Sequence, residues 1–405
     1  MAELQFDDFT FTEDPADNSR LRVSFLNIFY FPLLKKDLVK IGDFSLDKKD
    51  THKIIFPNES PLRAERKFNR LLPNGFAQLR SGLNNNPVLY IHRNSGIPLI
   101  GNLAFGIVDR GTNMVEVKPV TGCNLNCTFC SVDEGISTRK RRDIVIEKDY
   151  LVDALRELLD YKGDVKIDVY INTHGEPALY ADLEGLIKGI RQLPQVAKIA
   201  LITNGTMLNE RHIDAFIAAG LTQLDLSINA LSHEKAKELA GTNAYNIEHI
   251  KRIARYAAPK LHLVLAPVWL QGINDEEIEK IINFAKEIGA TIGIQNFLQY
   301  AFGRNPTKEL PMKDFFKKLQ ELGKKYAVEL VRRDHTVFST REYPKPFKRG
   351  DIVSATIVAK GRIGQERLAV SHGRAIAVNG TSKDSGIVRV KIVRDKNNIF
   401  VGTAL

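Results

Sequence analysis

Three cysteines, Cys123, Cys127 and Cys130, are the only ones in 405 residues, and all sit in the run Val120-Thr-Gly-Cys-Asn-Leu-Asn-Cys-Thr-Phe-Cys130. Their Cys-x3-Cys-x2-Cys spacing places three thiolates on one short loop. Each can bind one iron of a cubane cluster, which leaves the fourth iron open to a small molecule. Zinc is the rival, because Cys127 and Cys130 form a Cys-x2-Cys pair. A structural zinc asks for four ligands in a closed tetrahedron, and no His or Cys stands nearby at a suitable spacing. Chance burial of inert cysteines does not explain so tight a group.

The elements around this loop must hold it open at one side. An extended apolar stretch, Met114–Val120, leads into it. From about 114 to 300, β-branched runs alternate with helical ones. The strands fall at Val115–Val120, Val165–Ile171, Ile199–Thr203, Gln223–Ile228, Leu261–Val268 and Ile292–Phe297. Between them lie helical stretches at Glu147–Tyr161, Ala181–Leu193, Asn209–Ala219, Asn246–Tyr256 and Asp275–Ile288. The last carries acids in its first turn and an apolar stripe at helical spacing. The fold class is therefore α/β, six strand–helix units rolled into a partial (β/α)6 barrel. Ligands in such folds bind at the C-terminal ends of the strands, and the cysteine loop follows the first of them.

Cys123-x3-Cys127-x-Phe129-Cys130, with an aromatic residue before the last cysteine, resembles the signature of the radical S-adenosylmethionine (radical SAM) superfamily. The resemblance implies one 4Fe-4S cluster whose open iron chelates SAM. It also implies a 5′-deoxyadenosyl radical that abstracts hydrogen from a substrate, with Phe129 near the adenine. After the second strand, His174-Gly175-Glu176-Pro177 taken alone is a tight turn before a helix. In this place it is similar to the family's Gly-Gly-Glu-Pro motif, with His for the first Gly, so Gly175, Glu176 and Pro177 would bind the methionine end of SAM. Asn204 lies in the strand-end turn Leu201–Gly205, also common in the family. Ser227 and Asn229 alternate onto one strand face and offer a hydroxyl and a carboxamide suited to ribose hydroxyls. A polar strand end without a ligand is the plainer reading of the pair. Ala266–Asp275, with Gln271, resembles the segment along the adenine, and Trp269 in it reads equally as core. Gln295, Tyr300 and Arg304 follow the sixth strand as substrate candidates, although surface solvation accounts for Arg304 as well.

Residues 1–110 read as an N-terminal domain or extension of unassigned role, with a short helix from Pro61 to Leu72 and extended segments from Val88 to Asp109. Residues 111–343 hold the core with a helix from Pro311 to Tyr326 and a strand at Glu329–Arg333. Pro344-Lys-Pro346 reads as a linker. The rest of 344–405 alternates strands with glycine-containing turns, as in a small antiparallel barrel of the oligonucleotide-binding (OB) type. This segment has 12 Lys and Arg against 4 Asp and Glu, a net of +8 out of +10 for the whole chain. Such concentration suits a polyanion, although a solvated basic surface is the ordinary alternative. The segment resembles the TRAM domain of RNA-modifying enzymes, and the pairing resembles archaeal-type iron–sulfur oxidoreductases. Lys360, Arg362, Arg367 and Arg374 are the barrel's RNA candidates. Arg139, Lys140, Arg141 and Arg142 form a second basic run just after the cysteines.

Composition narrows the classes further. The chain is 43% hydrophobic and 26% charged, as in globular proteins. No signal peptide or membrane span is expected, and the cysteine pattern suits a reducing cytoplasm. No cysteines remain for a second cluster or a catalytic cysteine pair, as methylthio-transferases and adenosine-C2 methyltransferases require. The expectation is a radical SAM enzyme modifying RNA, tRNA above all, fed by an electron donor such as ferredoxin or flavodoxin. The alternative is a small metabolite or peptide substrate, with the barrel serving assembly.

Overall fold

The computed structural model describes residues 1–331 and 337–405, and the chain forms two compact units. The first comprises Met1–Ile91 with Arg141–Val145. In it, Phe9–Glu13, Arg20–Phe25, Phe29–Leu34 and Arg80–Ser81 make a four-stranded antiparallel sheet. Strict alternation buries Leu21, Val23 and Phe25 on one strand and Phe29, Phe31 and Leu33 on the next. The rings of Phe25 and Phe31 meet Phe9 and Phe76 in tilted and edge-on contacts, for example Phe9 on Phe31 at 5.9 Å, and Phe68 packs on Phe6 and Phe11. The helix anticipated from Pro61 spans Pro61–Asn69, with proline in its first turn.

The second unit, His92–Lys140 with Ile146–Leu405, holds the cysteines. Its main sheet has seven strands, β1 (Gly106–Asp109), β2 (Met114–Lys118), β3 (Ile167–Ile171), β4 (Val196–Thr203), β5 (Gln223–Leu226), β6 (His262–Leu265) and β7 (Thr291–Ile292). They lie side by side in chain order; β2 to β7 run parallel and β1 closes one edge antiparallel. Helices α1 (Lys148–Lys162), α2 (Leu183–Arg191), α3 (Glu210–Ala219), α4 (His233–Ala240), α5 (Ile247–Ala257), α6 (Asp275–Ile288) and α7 (Met312–Tyr326) make the crossovers and the return after β7. Each parallel strand lies beside its predecessor, and because such crossovers are right-handed almost without exception, this order puts the connecting helices on one side of the sheet. This is a part-open β/α barrel. Helix α4, between β5 and α5, was not expected from sequence; its eight residues are too few for a clear apolar period.

The last part of this unit is a closed barrel of β8 (Ile352–Lys360), β9 (Arg367–Ser371), β10 (Arg374–Asn379), β11 (Gly386–Arg394) and β12 (Val401–Ala404), in the order β8-β9-β10-β12-β11. It departs from the antiparallel expectation at one seam, where β10 and β12 run parallel. A ring with an odd number of strands cannot alternate direction throughout, so one parallel pair is unavoidable. Phe347, Ile376, Val390 and Phe400 fill its centre. The barrel is fastened to the core by backbone: Ala375 N–H donates to Ile100 O at 3.1 Å, and Phe400 N–H to Gly101 O at 2.9 Å. Gly101 has φ of +130°, and a Cβ there would lie 2.2 Å from Ala375 O, so only glycine fits this seam. The expected linker is fastened too. Asn398 Nδ2 donates to Tyr343 O at 2.7 Å, and Arg374 Nη2 to Pro344 O at 2.7 Å. Of the strand expected at Glu329–Arg333, residues 329–331 are not in a strand, and Arg332 and Arg333 lie outside the described residues.

Candidate functional site: the cysteine loop and its neighbours

The three cysteines sit on the crossover between β2 and α1, at the C-terminal end of the parallel sheet, and none is in a disulfide. The loop is tied down from several directions. Asn126 N–H donates to Ala240 O at 2.9 Å and Thr128 N–H to Leu239 O at 3.0 Å, so the end of α4 carries the middle of the loop. Beyond the cysteines, Asp133 and Glu134 are buried at 4% and 2% exposure. Arg304 closes the loop from the far side. Its Nη1 donates to Cys127 O at 2.8 Å, its Nε to Asp133 Oδ1 at 2.9 Å and its Nη2 to Glu134 O at 3.0 Å. Its own N–H reaches Cys130 O at 2.9 Å. Arg304 was a substrate candidate from sequence; its guanidinium is instead spent on the cysteine loop.

The sulfurs are acceptors. Leu125 N–H points at Cys123 Sγ at 3.5 Å, Glu134 N–H at Cys130 Sγ at 3.3 Å, and Asn204 Nδ2 lies 3.9 Å from Cys123 Sγ. Burial pushes the Cys123 thiol well above its ordinary pKa, and burial with the neighbouring Cys130 pushes Cys127 up to about 12. Both thiols stay protonated until a cationic group displaces the protons.

The loops after β3 and β4 come to the same rim. Thr121 and Gly122 pair with His174 and Gly175 as two short parallel strands. Gly175 has φ of +133°, and a Cβ there would stand 1.8 Å from Gly122 O. Glu176, 1% exposed, accepts from Thr203 Oγ1 at 2.6 Å and Asn204 N–H at 2.7 Å, and caps Pro177–Leu179 through Ala178 N–H at 2.9 Å. Burial raises its pKa, against the pull of those hydrogen bonds. Burial also holds the His174 imidazole neutral, helped by the charges of Lys118 and Arg362. Asn204 Nδ2 donates to Asn124 Oδ1 at 3.0 Å, and Asn124 Nδ2 to Thr206 Oγ1 at 2.8 Å, sewing the third loop to the cysteine loop. Asn124 and Asn126 were missed from sequence, although two carboxamides between the first two cysteines are a signal that this loop is pinned by its side chains.

A model of the radical SAM superfamily matches residues 117–285. An uncharacterized protein of Methanocaldococcus jannaschii is 34% identical over 358 residues, covering 80% of this chain and 82% of that one. Residues 117–285 are a radical SAM superfamily domain. A GTP 3',8-cyclase of Chlorobaculum tepidum is 29% identical over 203 residues, which cover 50% of this chain and 58% of that enzyme. Among solved structures, TYW1 with a lysine–pyruvate adduct bound aligns with a TM-score of 0.42 at 19% identity, over 56% of this chain and 80% of that one.

Radical SAM proteins use a 4Fe-4S cluster and SAM, and the residues here fit both. Three sulfurs on one loop, each with N–H groups or a neighbouring thiol to adjust it, suit three irons of one cubane. Among the described residues no three His, Cys, Asp or Glu side chains converge on a single-ion site. A tetrahedral zinc needs that convergence; a cubane, giving each thiolate its own iron, does not.

The remaining radical SAM candidates spread unevenly. Phe129 is half-buried on the loop, and Pro177 is buried at the start of its short helix. Ser227 is half-buried at the end of β5, with its N–H on Thr203 O at 2.9 Å. Asn229 has its carboxamide oxygen on Val268 N–H at 2.9 Å, so that oxygen already ties two loops. Trp269 is core, 6% exposed, with Nε1 on Asp275 Oδ1 at 2.8 Å, while Gln271 and Gln295 are exposed. Tyr300 is 48% exposed.

The basic candidates divide sharply. Arg139, Arg141 and Lys360 are on the surface, Arg139 donating to Asp133 Oδ2 and Lys360 facing Asp384 at 3.3 Å. Arg142 is half-buried, and Lys140 is buried beside Phe302. Arg362 is 5% exposed and pairs with Glu134 at 2.6 Å. Arg367, 9% exposed, donates to Lys383 O at 2.7 Å and Gln365 O at 2.9 Å, bracing the barrel's own turns. Arg374 lies over Tyr343 at 4.7 Å and holds the Pro344 carbonyl. Lys140, Arg362 and Arg367 are thus buried, in place of the exposed basic surface expected of them, and Arg374 is half-buried against the segment at Tyr343 and Pro344.

Proposed function

We propose that this chain is a radical SAM enzyme that modifies RNA, tRNA being the favoured class, with the C-terminal barrel as its RNA grip. Cys123, Cys127 and Cys130 would hold the cluster, and the edge formed by Gly122, Gly175 and the Glu176 turn would seat the methionine end of SAM. A cluster held by these three cysteines would supply the one-electron reduction that cleaves SAM, and SAM so cleaved would supply the radical chemistry that removes a hydrogen atom from a substrate. Asn204 orients the first loop against Cys123, Glu176 holds the second and third loops together, and Arg304 keeps the cysteine carbonyls in place.

The observation that carries the RNA reading is the charge that stays outside once the internal braces are set aside. Arg389 and Lys391 alternate outward on β11, opposite Ser354 and Ile352 of β8. Lys348, Arg349, Arg394 and Lys396 are exposed around the ends of these strands. A row of cations on a small barrel neutralises a phosphate backbone without reading its sequence. The five-stranded order with one parallel seam also fits an OB-type barrel.

A second reading is a purine nucleotide substrate, favoured by the GTP 3',8-cyclase relatives. Nucleoside mass spectrometry of tRNA and rRNA from a deletion strain and its parent separates the two. A missing nucleoside restored by the wild-type gene, and not by Cys127→Ala, supports RNA. An unchanged profile moves the substrate to the nucleotide class.

A further inference from the structure

The turn between β8 and β9, residues 361–366, leaves Gly364 and Gln365 exposed but buries the side chain of Arg362. Arg362 Nη2 meets Glu134 Oε1 at 2.6 Å with both side chains almost fully buried, at 5% and 1% exposure. Arg362 N–H in turn donates to Glu366 Oε1 at 3.1 Å, which fixes the turn that presents the guanidinium. On the other side, the N–H of Glu134 is the group that donates to Cys130 Sγ. Arg304 holds the Glu134 carbonyl, so residue 134 is gripped at its side chain by the barrel and at its backbone by the segment after β7.

A buried ion pair is a poor device for stability alone, because desolvation offsets most of the attraction. It is a good device for position, since a guanidinium and a carboxylate out of water tolerate few geometries. Hydrogen bonds to ligand sulfurs and nearby net charge are two levers that set an iron–sulfur potential. Both are brought to Cys130 through this pair.

We propose that Arg362 is a positioning residue for the cluster, through which the seating of the C-terminal barrel sets the hydrogen bond and the charge at Cys130. The barrel is then part of the redox site. A substrate that shifts the barrel on the core is felt at the cluster without touching it. This rests on the assignment of Cys123, Cys127 and Cys130 as cluster ligands.

The test is an EPR-monitored redox titration of the full-length protein after anaerobic reconstitution. Arg362→Gln leaves a negative charge near the cluster, so its midpoint should fall. Glu134→Gln leaves a positive charge, so its midpoint should rise, and the double variant should return towards wild type. Simple loosening would move both single variants in the same direction; that result, or no shift in either, overturns the proposal. Should Arg362→Gln not assemble, Arg362→Lys keeps the charge but loses the planar fork. Iron release to a chelator should then be about tenfold faster, and an unchanged rate would refute the role. Failure of the ligand assignment itself looks different, because the single cysteine variants would then keep the wild-type EPR signal.

Discussion

The guanidinium of Arg304 donates to the carbonyl of Cys127 at 2.8 Å across 177 positions of chain. Through this bond and its partners on Asp133 and Glu134, the segment after the last parallel strand shapes the loop after the first. The cysteine loop has little regular structure of its own. Its carbonyls must find donors elsewhere, and one planar side chain supplies several in a fixed fork.

Replacing Arg304 with Gln should therefore act on the cluster before it acts on any substrate. The variant leaves two loop carbonyls without a charged donor and Asp133 with Arg139 alone, at a cost of about 2–4 kcal/mol. Iron per chain after reconstitution should fall, and Arg304→Lys should recover it only in part, since an ammonium cannot span the same acceptors. Full iron occupancy in Arg304→Gln, with only KM for a substrate changed, would return the residue to the substrate role expected from sequence.

Gly175 tests the edge assigned to SAM. Alanine there must relieve a 1.8 Å approach to Gly122 O and leave a φ of +133°. Strain of this kind costs about 1–3 kcal/mol. SAM binding, followed by equilibrium dialysis on reconstituted protein, should weaken more than the melting temperature falls. Wild-type SAM affinity would show that the close pairing of the two loops does not shape the SAM seat.

What sequence could show and could not show divides by distance along the chain. The cysteine spacing, the strand–helix alternation and the glycine-punctuated barrel are local patterns, and each stands in the structure. Arg304 was expected at a substrate, with surface solvation as the alternative, and Arg362 and Arg367 at RNA, since arginine is ordinarily exposed. Their partners lie 177, 228 and about 15 residues away, and no periodicity announces such a pairing. The N-terminal sheets were illegible for a different reason. Their strands are short, and their phenylalanines pack as a cluster whose members come from separate hairpins and helices. Helix α4 was too short to register, although it carries the middle of the cysteine loop.

Glu277 gives a pH dependence with a definite sign. Burial favours its neutral form, but hydrogen bonds from Lys280, from the Ser232 and Leu231 N–H groups and from the Ser232 hydroxyl prevail, and its pKa falls to about 2. A lowered pKa means the folded state favours the carboxylate. The stabilisation is complete above the unfolded value near 4.5 and is lost as pH drops towards 2. Glu277→Gln should lower the melting temperature at pH 6 to 8, and the gap to wild type should narrow as pH falls below about 4. A gap constant from pH 7 to pH 3 would remove the charge from the account.

Truncating residues 344–405 is a poor test of RNA binding, because it also strips Arg362 from Glu134 and uncovers Gly101. Charge reversal on the outer face of the barrel is cleaner. Arg389 and Lys391 are exposed on β11, and their side chains enter no ion pair among those found between described residues. Arg389→Glu with Lys391→Glu should weaken binding to total tRNA and reduce the slope of log K against log salt by about 2, one for each phosphate no longer neutralised. Iron content serves as the control for a correctly folded core. Should affinity and slope both stay at wild-type values, phosphate does not lie along this face. The grip would then have to come from elsewhere, Arg139 on the segment after the cysteines being one exposed cation, or the substrate would be the nucleotide.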